Sequence, residues 1–100
     1  MPSFSTEVPH SLGQEAAVAR LKQMIETMRV HYEEQVSNLE GTWNGHQLSY
    51  SFETFGFSIK GMVTILEQSA KVEGQIPFAV MPFRGAIEDQ VRSELERAFS

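Results

Sequence analysis

The side chains of this chain that could do chemistry are few and scattered. His10, His31 and His46 are its histidines, Tyr50 sits in an alternating apolar run, and Glu94 interrupts an apolar helical stripe. An imidazole at His10 can donate into a pocket or pack beside the first turn of the helix that follows it. On a helical wheel Glu94 falls between Phe83 and Ile87 in angle. A carboxylate facing a core is costly unless paired, so Glu94 is either a general acid or base or the partner of Arg97 at i+3. The catalytic reading is a small enzyme of the ketide cyclase or hydrolase kind, using Tyr50, His10 or Glu94 in a closed cavity. Against it, no G-x-S-x-G elbow, phosphate-cradling glycine loop or H-E-x-x-H occurs, and no two histidines are spaced as a ligand pair. Without cysteine the chain has no disulfides, thiolate chemistry or Cys-ligated zinc, which fits a reducing compartment. The residues therefore predict no catalytic set, no metal and no cofactor.

Two glycines offer a different chemistry. Gly61 and Gly74 fall at inward positions of neighbouring strands, where a missing side chain marks a bulge, a bend or a close approach. Tyr50, Phe52, Phe57, Ile59, Ile76 and Phe78 would wall the resulting dent, with Leu21, Ile25 and Met28 as its lid. Either a helix docks into that dent or an apolar ligand such as an acyl chain fills it. These eleven residues are the candidate ligand-binding set, and Gly61→Leu is expected to block binding while leaving the fold mostly intact.

The elements that must position them follow from periodicity. Phe4, Thr6 and Val8 alternate with Ser3, Ser5 and Glu7, a half-buried strand stopped by Pro9. Ser11 with Gln14 three residues on reads as a capping box. Val18, Leu21, Ile25, Met28, Tyr32, Val36 and Leu39 then form one helical stripe to about residue 37, roughly 39 Å at the helical rise, opposite a face carrying Lys22, Glu26, Glu33 and Glu34. Four period-two runs follow. Leu39, Gly41 and Trp43 lead to the turn pair Asn44-Gly45, then Leu48, Tyr50 and Phe52, with a turn near Thr54-Phe55-Gly56. Phe57, Ile59, Gly61, Val63 and Ile65 come next, and after Gln68-Ser69 the run Val72, Gly74, Ile76, Phe78 and Val80. Pro77 in that last run is expected at a bulge or facing away from the ladder. Pro82 opens a closing helix whose stripe is Phe83, Ile87, Val91, Leu95, Ala98 and Phe99.

The sum is one α+β domain over residues 1–100, a two-layer β-α-β-β-β-β-α arrangement. A five-stranded, mainly antiparallel sheet carries both helices on one face. Short-connection rules favour the strand order 1-5-4-3-2. The expected core is Leu21, Ile25, Met28, Tyr50, Phe52, Ile59, Val63, Ile76, Phe78, Ile87 and Val91. Hydrophobic residues at 41% with 21% charged are ordinary for a globular chain. The net charge of −5 offers no cationic face for nucleic acid or anionic lipid. No apolar run is long enough to span a bilayer, and the start Met1-Pro2-Ser3-Phe4-Ser5 is unlike a signal peptide, so a cytoplasmic location is expected. The long helix, with Met62 and Leu66 on an otherwise polar sheet face, predicts a homodimer.

Pro9-His10-x-Leu12-Gly13 after a short strand, the Trp43-x-Gly45-x-x-Leu48 hairpin and the closing Ile87-Glu88 helix resemble the small polyhydroxyalkanoic acid system proteins. The resemblance covers nearly the whole chain and departs at Val8, where an Arg is expected. It implies a link to bacterial polyester storage granules and carries no catalytic residue. The order of elements is also similar to a shortened helix-grip fold, whose members often hold apolar ligands between sheet and helix. The function expected is a non-enzymatic accessory or binding protein that captures an apolar small molecule, a granule component or another partner. The cyclase or hydrolase reading is its alternative.

Overall fold

The computed structural model describes residues 3–31, 36–54 and 56–100. Strand β1 (Ser3–Pro9) buries Phe4, Thr6 and Val8 and exposes the residues between them, the alternation that a sheet covered on one face requires. Helix α1 spans Gln14–His31, followed by β2 (Val36–Asn44), β3 (Gln47–Thr54), β4 (Phe57–Ile65) and β5 (Ser69–Gln75). A 3₁₀ segment, Phe78–Phe83, leads into α2 (Arg84–Phe99). The sheet order is β1-β5-β4-β3-β2, every neighbouring pair antiparallel, as the sequence predicts.

The entry to α1 differs from the capping box expected at Ser11. Gly13 is the residue before the helix, and its carbonyl accepts the Ala17 N–H at 3.0 Å. Its φ of +82° is a conformation that glycine adopts without a steric penalty. Gln14 does not reach back; its amide donates to the Ile65 carbonyl at 2.8 Å, tying the helix start to the end of β4.

The far end of α1 also departs from the expected stripe. Val36 pairs with Thr54 in the sheet, so Val36 and Leu39 belong to β2. At 18 residues α1 is roughly 27 Å long, which fits inside the molecule's longest extent of 36 Å. It leaves no overhang to argue for a partner. A spacing of three or four suits a helix, but Leu39, Gly41 and Trp43 continue in twos, and the strand period wins once β3 supplies a ladder. Tyr32, Glu33 and Glu34 of the expected helix, and Phe55 of the expected turn, lie outside the described residues.

The β2–β3 turn is centred one residue later than expected, on Gly45-His46. The positive φ falls on Gly45 alone, the first central position of a type II′ turn. Strand β5 stops at Gln75, well short of Val80. Among the described residues the β1–β5 pairing ends with Ser3 and Gln75, and Pro77 brings no N–H. Pro77 instead leads the 3₁₀ segment, where its carbonyl accepts the Val80 N–H at 3.0 Å. Pro82 lies within that segment, and α2 opens at Arg84.

The core gathers Phe4, Val8, Ala17, Leu21, Ile65, Ala70, Ile76, Leu95 and Phe99 with Leu48, Ile59, Val63 and Val72. Leu21, Ile59, Val63 and Ile76 are buried as expected, whereas Ile25, Met28, Tyr50, Phe52, Ile87 and Val91 are only half-buried. Phe78 is 78% exposed, because it follows the end of β5 and not the strand face. Polar clasps hold the layers together. Arg92 donates to the Thr6 hydroxyl at 3.1 Å, and Glu88 accepts the Ser5 backbone N–H at 3.1 Å, binding α2 along β1. Arg20 of α1 reaches the carbonyls of Ala98 and Ser100, a cation at the negative end of α2.

Burial orders the expected costs of truncation. Ile59→Ala should lower unfolding free energy by about 2–5 kcal/mol, and Ile25→Ala by clearly less, because its site already borders water. Urea unfolding of the two variants should rank them in that order.

Candidate functional site

The glycines expected to dent the sheet belong to a longer row. Phe4 of β1 pairs with Gly74 of β5, Gly74 with Gly61 of β4, Gly61 with Tyr50 of β3, and Tyr50 with Gly41 of β2. Along this line across the whole sheet, three positions carry no side chain and two carry rings. The rings occupy the space that Gly61 and Gly74 leave. A Cβ at Gly74 would collide with the edge of the Phe4 ring, and one at Gly61 would collide with the Glu73 carbonyl and lie 2.7 Å from the Tyr50 hydroxyl. Tyr50 reaches across β4 and donates its O–H to the Glu73 carbonyl at 3.2 Å. Burial pushes that hydroxyl up to about 12, so it stays a neutral donor.

The dent on the helical side is therefore filled by the sheet's own aromatics. The expectation that Gly61→Leu leaves the fold mostly intact does not survive this geometry, since backbone crowds that position. Of the proposed walls, Ile59 and Ile76 are buried, Tyr50 and Phe52 are half-buried with rings 6.2 Å apart, and Phe57 and Phe78 face solvent. Of the proposed lid, Leu21 is buried while Ile25 and Met28 are half-buried. A hollow does open at the same row, as an open groove of about 880 Å³. Ser3, Ser5, Glu40, Thr42, Ser49, Ser51, Lys60, Met62, Glu73 and Gln75 flank the row there, and no helical residue contributes. The groove thus lies on the face away from the helices, where backbone without inward side chains sinks toward the core.

The three candidate catalytic residues do not converge. The His10 Nδ1 accepts the Leu12 N–H at 3.2 Å, which leaves Nε2 protonated and donating to the Leu66 carbonyl at 3.0 Å. With its ring centroid 5.1 Å from that of Phe99, His10 clasps the end of β1, the entry to α1, the β4–β5 turn and the end of α2. This gives Pro9-His10-x-Leu12-Gly13 a structural meaning. Glu94 lies 3.4 Å from Arg97 and accepts from Gln90, the pairing its i+3 spacing suggests. His46 meets Glu15 at 2.8 Å and pins the hairpin to the first turn of α1. Among the described residues no cluster of three His, Asp or Glu side chains could hold a metal ion.

One exposed feature escaped sequence reasoning. Residues 76–83, Ile-Pro-Phe-Ala-Val-Met-Pro-Phe, carry no charge and no polar side chain. Ile76 and Val80 point into the core, while Phe78 (78% exposed), Phe83 (63%) and Met81 (36%) form an apolar ridge. The signal is eight consecutive apolar or proline residues, which the periodicity reading divides between a strand run through Val80 and a closing helix opened by Pro82.

Fold and surface together describe a small α+β protein with a one-faced antiparallel sheet and an apolar ridge. Residues 5–99 match the family described as "putative polyhydroxyalkanoic acid system protein", and the chain belongs to that family. No curated protein and no solved structure matches it significantly. No described helix is long and apolar enough to cross a membrane.

Two outcomes follow from the row. Gly61→Ala should destabilise by more than the usual propensity change, because backbone and not a flexible side-chain end must move. A raised phenol pKa means that the folded state favours the neutral form, so this contribution is intact below pH 10 and declines as pH rises toward 12. Unfolding midpoints measured from pH 9 to 12 should fall more steeply for the wild type than for Tyr50→Phe.

Proposed function

We propose that this protein is a non-enzymatic accessory of polyhydroxyalkanoate storage that captures an apolar partner through the Phe78–Phe83 ridge. The observation that carries the reading is the ridge itself: Phe78, Met81 and Phe83 stand in water on a segment without charges, held in place by the buried Ile76 and Val80. Monomeric soluble proteins seldom leave clustered large apolar side chains exposed unless something covers them. An aliphatic polyester surface is neutral and apolar, and an anionic chain with an uncharged ridge can meet it without desolvating charge. Each phenylalanine transferred from water contributes about 1.5–3 kcal/mol. The pinned, dispersed states of His10, Tyr50 and Glu94 favour binding over catalysis. The same reading takes the chain as a homodimer, whose paired ridges would strengthen attachment through avidity.

Co-sedimentation with amorphous poly(3-hydroxybutyrate) particles tests this. The wild type should pellet with the particles, and the double variant Phe78→Ser/Phe83→Ser should lose at least tenfold in affinity with an unchanged unfolding midpoint. Equal binding by both proteins, or no binding by either, removes the ridge from the function.

A further inference from the structure

We infer that the outer edge of β2 is the interface for a second copy of this chain, paired antiparallel about a two-fold axis through Thr42. The inference rests on the dimeric reading and names its interface.

The two edges of the sheet are treated differently. Along β1, Glu88 occupies the Ser5 N–H and α2 lies against the strand. Along β2 the hairpin geometry decides which groups face outward. Asn44 and Gln47 flank the two-residue turn as a hydrogen-bonded pair, so Thr42 opposite Ser49 is also bonded inward. Gly41 and Trp43, between them, turn their N–H and C=O groups out of the sheet. The Leu39 carbonyl, on the same outer side, is taken by Arg29 at 3.4 Å. Among the described residues nothing bonds the outward groups of Gly41 or Trp43.

Two free peptide units spaced by two residues are self-complementary. About a two-fold axis at Thr42, Gly41 of one copy meets Trp43 of the other, and each such pair exchanges both N–H···O bonds. The side chains agree with this register. Glu40 falls opposite Asn44, so no like charges meet. Each Trp43 indole lies beside the other copy's exposed Gly41, an aromatic covering a bare edge glycine. It also extends the Phe4-Gly74-Gly61-Tyr50-Gly41 row by one more ring. The half-buried Leu39 and Trp43 on this strand gain cover from the second copy. The ridge follows β5, three strands away from β2, and stays free.

Engineered crosslinking tests the register, on a chain with no native cysteine to interfere. Thr42 residues on the axis form a non-hydrogen-bonded pair with Cα atoms about 4.5 Å apart, within the disulfide range of about 4.4–6.8 Å. Glu40 residues lie four positions out of register, roughly 13 Å apart. Under mild oxidation Thr42→Cys should form a covalent dimer at least tenfold faster than Glu40→Cys. Thr42→Lys, which sets like charges on the axis while leaving the solvent-facing monomer surface intact, should shift the mass measured by light scattering from dimer to monomer. A wild-type dimer with no preference for crosslinking at Thr42 overturns this interface alone. A wild-type monomer at high concentration overturns the interface and the dimeric reading together, while polyester binding by the ridge is measured independently.

Discussion

A sheet that buries one face must fill that face, and here the filling turns on a line of positions with too few side chains. Gly41, Gly61 and Gly74 leave one row of the sheet bare, and Phe4 and Tyr50 lie over it from the flanking strands. The arrangement joins four strands through two rings. Phe4 covers β5 from β1, and Tyr50 crosses β4 to bond the β5 backbone at Glu73. Backbone and rings pack closely on the helical side of the row at Gly61 and Gly74. The space at its outer side becomes a polar groove instead of a lipid cavity.

The same economy governs the polar groups. His10, Gln14, Arg20, Glu88 and Arg92 each satisfy a backbone or hydroxyl group on another element. Each bond adds about 0.5–1.5 kcal/mol, and together they fix how two helices sit on one sheet face. A histidine whose two nitrogens are both engaged has none left for catalysis. The exposed apolar side chains gather instead at Phe78, Met81 and Phe83, and the chain belongs to the polyhydroxyalkanoic acid system family.

Much of the fold was legible in the residues. Period-two runs marked the strands, and short-connection rules gave the order β1-β5-β4-β3-β2. Ile59 and Val63 were readable as core because each sits at an inward position of β4, a central strand, and Ile76 because it continues the inward spacing of β5 just past its end. The motif at Pro9-His10 announced a helix entry, though not the His10 clasp that makes it work. Of the candidate site, the importance of Gly61 and Gly74 was visible, but what fills them was not: the residues opposite depend on register, and register is a long-range property.

Element ends were decided by tertiary partners. Val36 and Leu39 satisfy a helical spacing, yet β3 offers them a ladder and draws them into β2. Residues 76–80 carry on the spacing of the β5 run, yet the described β1–β5 pairing stops at Ser3 and Gln75, and Pro77 has no N–H to offer a ladder. Composition, local period and turn chemistry are written in neighbouring residues, so the sequence by itself determined the class of fold, the sign of its charge and the absence of familiar catalytic motifs. Which face a glycine opens, which apolar run stays in water and which strand edge remains bare depend on residues tens of positions apart. Only the folded chain brings those together.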